Sequence, residues 1–198
     1  MNSLAQFGLA AAFTTALCAP AAMAQQPAPA APAAPPAVAA PATPAAPAAR
    51  PADVASIDAI VAALYDVISG PAGAPRDWDR MRSLFAPEGR MAAVGMRPDG
   101  SYPMRTMAPD DYIVRNTKAF ATSGFFETEL ARTTEVFGQV AHVFSTYEAR
   151  HAVDDKPFMR GVNSIQLVHD GKRWYVLSLV WRAEDAKLQL PERYLRNG

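Results

Sequence analysis

Hydrophobic positions recur along residues 53–198 with two periods, first helical and then strand-like. Over Asp53–Gly70, Ile57, Ile60, Val61, Leu64 and Ile68 fall at i, i+3, i+4, i+7 and i+11, one stripe of an amphipathic helix. Asp53 or Ser56 supplies its N-cap, and Gly70-Pro71 its stop. Trp78, Met81, Leu84 and Phe85 mark a second, shorter helix closed by Pro87 and Gly89. Met91–Met107 predicts a hairpin turning at Arg97-Pro98-Asp99-Gly100. A third helix begins at Pro109, with Asp110 and Asp111 where the helix dipole favours acids, and ends at Gly124. Tyr112, Arg115, Ala119 and Phe120 share one of its faces.

Period two then takes over. Two long strands flank a break near Gly138, and Arg160–Trp181 reads as two more, joined by a turn at His169-Asp170-Gly171-Lys172. Asn163, Ile165, Leu167, Tyr175, Leu177, Leu179 and Trp181 form a bulky row expected to meet the helices. The opposite row holds Val162, Ser164, Gln166, Val168, Trp174, Val176, Ser178 and Val180. Such a mixed face is half wet or pairs with another subunit. Helices followed by an antiparallel meander predict an α+β fold with helices on one sheet face.

The first 52 residues change the picture. An apolar run from Phe7 to Leu17 precedes Ala22-Met23-Ala24, the pattern of a cleaved signal peptide over residues 1–24. The run is shorter than the roughly 20 apolar residues of a membrane span. Periplasmic or secreted localisation is therefore expected. No Lys or Arg precedes Arg50, so the signal carries only its terminal amine. Residues 25–52 are almost wholly Ala and Pro, which blocks a helix and offers no apolar face, and they read as a disordered linker. Cys18, the only cysteine, lies inside the signal, so residues 25–198 hold no thiol for a disulfide, a nucleophile or zinc. Lys and Arg number 19, as do Asp and Glu, and this balance argues against a nucleic-acid partner.

The segments AIVAALYDVISG, DWDRMRSLFAPEGRM, VAHVFSTYEAR and GVNSIQLVHDGKRWYVLSLVW carry a resemblance to the nuclear transport factor 2-like superfamily, spanning Asp53 to Glu184. That superfamily includes ketosteroid isomerases, scytalone dehydratase and polyketide cyclases. The resemblance implies a cone in which a curved antiparallel sheet wraps three N-terminal helices around a pocket, its outer face often a dimer interface. The isomerases keep a carboxylate base on the strand after the second helix, here Met91-Ala92-Ala93-Val94, and a second acid on the penultimate strand, here Asn163-Ser164-Ile165-Gln166. Neither stretch carries an acid. Their tyrosine lies near Ile60, with Tyr65 further along, so the isomerase constellation is missing.

Matching VAHVF to the family strand turns His142, Phe144, Thr146 and Glu148 into the cone. There His142 is a candidate general base, because an imidazole titrates near neutral pH. Trp78, Tyr112, Phe120, Phe144 and Trp181, with the polar His142 and Asn163, are the expected pocket lining. Val162, Gln166, Trp174, Val176 and Val180 are the expected dimer interface, with Trp174 as anchor. His142, His151 and His169 lack ligand spacing, and neither a Gly-rich phosphate loop nor a nucleophile elbow occurs, so no metal or cofactor is expected. The residues assign no activity and favour a binding domain over an enzyme. The reading is an exported homodimer that holds a small, mostly apolar molecule in its cone. The alternatives are an isomerase or dehydratase with His142 as base, and a structural or dimerisation domain whose pocket is filled by its own side chains.

Overall fold

A computed structural model describes residues 47–196; the expected signal peptide and residues 25–46 of the expected linker lie outside them. The elements are α1 (Pro51–Val54), α2 (Ile57–Ile68), α3 (Trp78–Leu84), β1 (Phe85–Val94), β2 (Met104–Met107), α4 (Pro109–Thr122), β3 (Phe126–Phe137), β4 (Val140–Arg150), β5 (Met159–His169), β6 (Trp174–Ala183) and a closing 3₁₀ turn, Glu192–Leu195. One curved sheet runs β2-β1-β6-β5-β4-β3. The expected meander is β3 to β6, but β1 lies parallel to β6, so the sheet is mixed. The chain enters β1 straight from α3 and reaches β6 only after five further elements, which leaves the two strands free to run the same way.

Ser56 caps α2, its hydroxyl accepting from Ala59 N at 3.1 Å. Asp53, the other cap candidate, instead accepts two bonds from the Arg80 guanidinium, at 2.7 and 2.9 Å. Arg80 holds that buried carboxyl below the usual carboxylate range and also pairs with Asp66. Residues 49–52, which the sequence reading places in the linker, touch the domain: Ala49 packs on the core, Arg50 pairs with Asp77 at 2.6 Å, and Pro51 opens α1. α2 buries Ile60, Val61, Leu64 and Val67 against Val143, Ile165, Leu167 and Leu179 of the sheet. Each such side chain contributes about 1.5–3 kcal/mol of burial.

Arg76 fastens the loop between α2 and α3. Its guanidinium donates to Ile68 O (2.9 Å), Gly70 O (2.6 Å), Ala74 O (2.8 Å) and Pro71 O (3.3 Å), and lies over the Phe120 ring. Replacing Arg76 by Met should lower stability by about 1–3 kcal/mol, because four partly buried loop carbonyls lose their charged donor. Urea unfolding midpoints check this; an unchanged midpoint would mean that water satisfies the loop.

Two β-bulges decide which side chains face the core. Pairing between β5 and β6 slips between Gln166↔Ser178 and Leu167↔Val176, and one extra residue inverts the faces on either side of it. Val176, expected on the outer face, is 0% exposed in the core, and Trp174 packs against the same core. Leu177, expected inside, is 43% exposed. Tyr175 also leaves the expected inner row, stacking under Arg173 and donating to Asp170 at 3.1 Å. Leu179 and Trp181, beyond the bulge, face inward as expected. A second slip, between Glu129 and Ala131 on β3, puts Glu129 opposite Tyr147 and Arg132 opposite Ser145.

On β4 the inward row is Val143, Ser145, Tyr147 and Ala149, all buried. His142, Phe144, Thr146 and Glu148 therefore occupy the outer face, opposite to the expectation. There His142 Nε2 lies 3.1 Å from Ser164 Oγ, and Thr146 donates to Tyr194 O at 2.5 Å. Tyr194, in the 3₁₀ turn, packs on Phe144 with ring centroids 5.1 Å apart. Of the expected interface residues, Val162, Gln166 and Val180 lie on this outer face, whereas Trp174 and Val176 belong to the core. Among the described residues no helix is long and apolar enough to cross a membrane.

Candidate functional site

The helices do not fill the concave side of the sheet. They leave a cavity of about 360 Å³ lined mainly by Leu64, Met81, Met91, Met107, Ile165, Leu179 and Trp181. Of the expected pocket residues, Tyr112, Asn163 and Trp181 line it. Trp78 and Phe120 do not: their rings stack on each other at 6.1 Å, and Phe120 stacks on Phe125 at 5.3 Å, so they close the seam between α3 and α4. His142 and Phe144 are excluded because their strand row faces the other way.

A hydrogen-bonded group of polar side chains at the cavity comes from α2, β3, β4 and β5. Asn163 Nδ2 lies 3.1 Å from the Tyr65 hydroxyl and 3.2 Å from Glu127 Oε1, donating to both. Tyr65 and Ser145 hydroxyls are 2.6 Å apart, and Ser145 donates to Glu129 Oε1 at 2.5 Å. Glu129 in turn pairs with Arg132 at 2.7 Å. Ser69, at the end of α2, pins the start of β3: it donates to Tyr65 O at 2.7 Å and accepts from Glu127 N at 3.0 Å. The Glu127 side chain is thereby set into the cavity from a strand at the sheet edge.

Among the described residues Glu127 is the only acid in the lining. Burial pushes its carboxyl up to about 7, against the opposing effect of the Asn163 hydrogen bond. Burial also raises Tyr65, Tyr112 and Tyr147, so all three carry their protons at neutral pH. The Tyr147 hydroxyl is the one buried side-chain polar atom among the described residues without a hydrogen-bond partner. A Cβ at Gly161 would stand 2.8 Å from that oxygen and 2.4 Å from Arg182 O, so only glycine leaves the hydroxyl where it is. Two cations, Arg105 on β2 and Arg115 on α4, and the amide of Asn116, also on α4, complete the polar lining. Among the described residues no three His, Cys, Asp or Glu side chains cluster as a metal site.

Sequence reasoning missed Glu127. Phe125–Gly138 carries three acids and three threonines, the pattern of a solvated edge strand. The available signal was parity: Glu127 and Glu129 alternate together, and a strand row beside them carries Ser145 and Tyr147.

A curved six-stranded sheet closing on helices around an interior cavity is the cone that the resemblance implies. A protein of unknown function with a cystatin-like fold from Nostoc punctiforme PCC 73102 shares this architecture at a TM-score of 0.51, with 11% identity, over 66% of this chain and 90% of its own. The fold is nuclear transport factor 2-like. An NTF-2 like protein of unknown function from Silicibacter pomeroyi DSS-3 matches at 21% identity over 66% of this chain and 94% of its own, TM-score 0.43. The Kfla4162 protein from Kribbella flavida matches at 15% identity over 66% and 90%, TM-score 0.49. No protein-family model and no curated protein matches the chain. At these identities the likeness is one of fold, and any chemistry in this nuclear transport factor 2-like cone has to be read from its own side chains.

Proposed function

We propose that the cone binds a small, mostly apolar molecule bearing a carbonyl group and that Glu127 exchanges a proton with it. The observation that carries this reading is the pairing, in one apolar cavity, of the Glu127 carboxyl with the unpartnered hydroxyl of Tyr147. An unsatisfied buried hydroxyl costs about 1–3 kcal/mol, which a ligand oxygen accepting its hydrogen bond would recover. A carboxyl near 7 is populated in both protonation states at neutral pH, the condition for a general acid–base.

The step uses no outside electrons. The Glu127 carboxylate takes a proton from the carbon beside the ligand carbonyl, and the C–H pair becomes the enolate double bond. The carbonyl π pair moves to oxygen, where Tyr147 O–H donates. Return of the proton to carbon completes exchange or relocates the double bond. Asn163 holds Glu127 Oε1 and the Tyr65 hydroxyl, and so orients the acid. The candidate base thus moves from His142 to Glu127. The apolar run and Ala22-Met23-Ala24 support action outside the cytoplasm.

Apolar ketones incubated with the protein in D₂O test the reading. Deuterium should enter beside the carbonyl at a rate rising with pH through about 7, and Glu127→Gln should slow it by about 10²-fold or more. Binding without exchange would reduce the chain to a carrier. If no ketone is bound, the reading fails.

A further inference from the structure

We propose that the ligand is an apolar carboxylate, its anionic group held at the cavity rim by Arg105 and Arg115 and its apolar body inside. The inference rests on the reading above and names its substrate class. Arg105 and Arg115 reach the same cavity from two elements, β2 and α4, and both are exposed. Neither side chain makes a hydrogen bond, ion pair or ring contact among the described residues. Elsewhere in the domain, Arg80, Arg82, Arg132, Arg160 and Arg182 each pair with an acid. Two arginines left without acids beside one cavity form a site for an anion.

Exposure also sets the direction of binding. The rim is cationic, and the depth is Tyr147 and Asn163, both buried, with half-buried Glu127 beside them. A carboxylate placed deep would be stripped of water next to Glu127, a like charge, so the anion belongs outside. Met91, Met107, Leu179 and Trp181 offer a bare inorganic anion nothing and an aliphatic or aromatic body a great deal.

The test pairs benzoylpropionate with its amide, which share an enolisable ketone and differ in charge. Binding is followed through tryptophan fluorescence, to which the cavity's Trp181 contributes, or calorimetry in low salt. The acid should bind about tenfold more tightly than the amide, as a charge-assisted contact at a partly wet site allows. Arg105→Gln with Arg115→Gln should remove that preference, bringing acid and amide to equal affinity, with the melting temperature unchanged, since both side chains are exposed. Equal binding of acid and amide by the native protein overturns the proposal, as does a preference that survives the double substitution. If the preference holds but deuterium enters neither compound, the rim stands and proton exchange by Glu127 falls. If neither compound binds, both fall.

Discussion

Glu127→Gln should raise the stability of the domain by about 3 kcal/mol at about pH 8 and leave it nearly unchanged at about pH 4. The carboxyl titrates at its model value of 4.5 in the unfolded chain and at about 7 in the folded one. Between those values the folded state binds more protons than the unfolded state. Stability from this group is therefore fully present below 4.5, declines as pH rises, and is lost above about 7. Gln is neutral throughout and keeps an oxygen for Asn163, so the variant escapes the decline. Asp53 works in the opposite sense: Arg80 lowers it, and its contribution is lost on acidification, equally in both proteins. Urea titrations of wild type and variant across the range give the difference directly. Curves that stay parallel would mean that the Glu127 carboxyl is solvated. The same substitution is expected to slow proton exchange by about 10²-fold or more, so the more stable protein is the less active one, a trade familiar at functional sites.

Val176→Lys should prevent folding, and Leu177→Lys should be tolerated to within about 0.5 kcal/mol. Val176 is 0% exposed, pairs with Leu167 across β5 and adjoins Phe85 of β1. An ammonium there has no acid to meet and costs several kcal/mol of desolvation, against a domain stability of roughly 5–15 kcal/mol. Leu177, on the bulge, already meets water. Circular dichroism melts of the two variants decide the matter. A folded Val176→Lys beside a collapsed Leu177→Lys would return the strand to simple alternation.

That pair also shows where the sequence was readable. The stripe from Ile57 to Ile68 and the Ser56 cap are local, and the helix stands where the periodicity predicts. β5 alternates without interruption, so Asn163, Ile165 and Leu167 face the core as its parity implies. β6 alternates too, but a bulge is set by register with a neighbour, and no residue in YVLSL announces it. β4 was inverted for another reason. Both of its rows mix apolar and polar residues, Ser145 and Tyr147 lying inside and Phe144 lying outside under Tyr194 of the C-terminal turn, so polarity does not separate the faces. The polar centre was the least legible part. Glu127 meets Asn163 across 36 positions, and Asn163 meets Tyr65 across 98, contacts that only the closed sheet creates.

The titration of Glu127 itself tests the account most directly. Carbon-13 labelling of glutamate side chains, with the Glu127 carboxyl assigned by its absence in Glu127→Gln, lets NMR follow that one group across pH. A midpoint at about 7 is the predicted result. A midpoint near 4.5, the value of a solvated glutamate, would contradict it and leave the cavity without its acid–base.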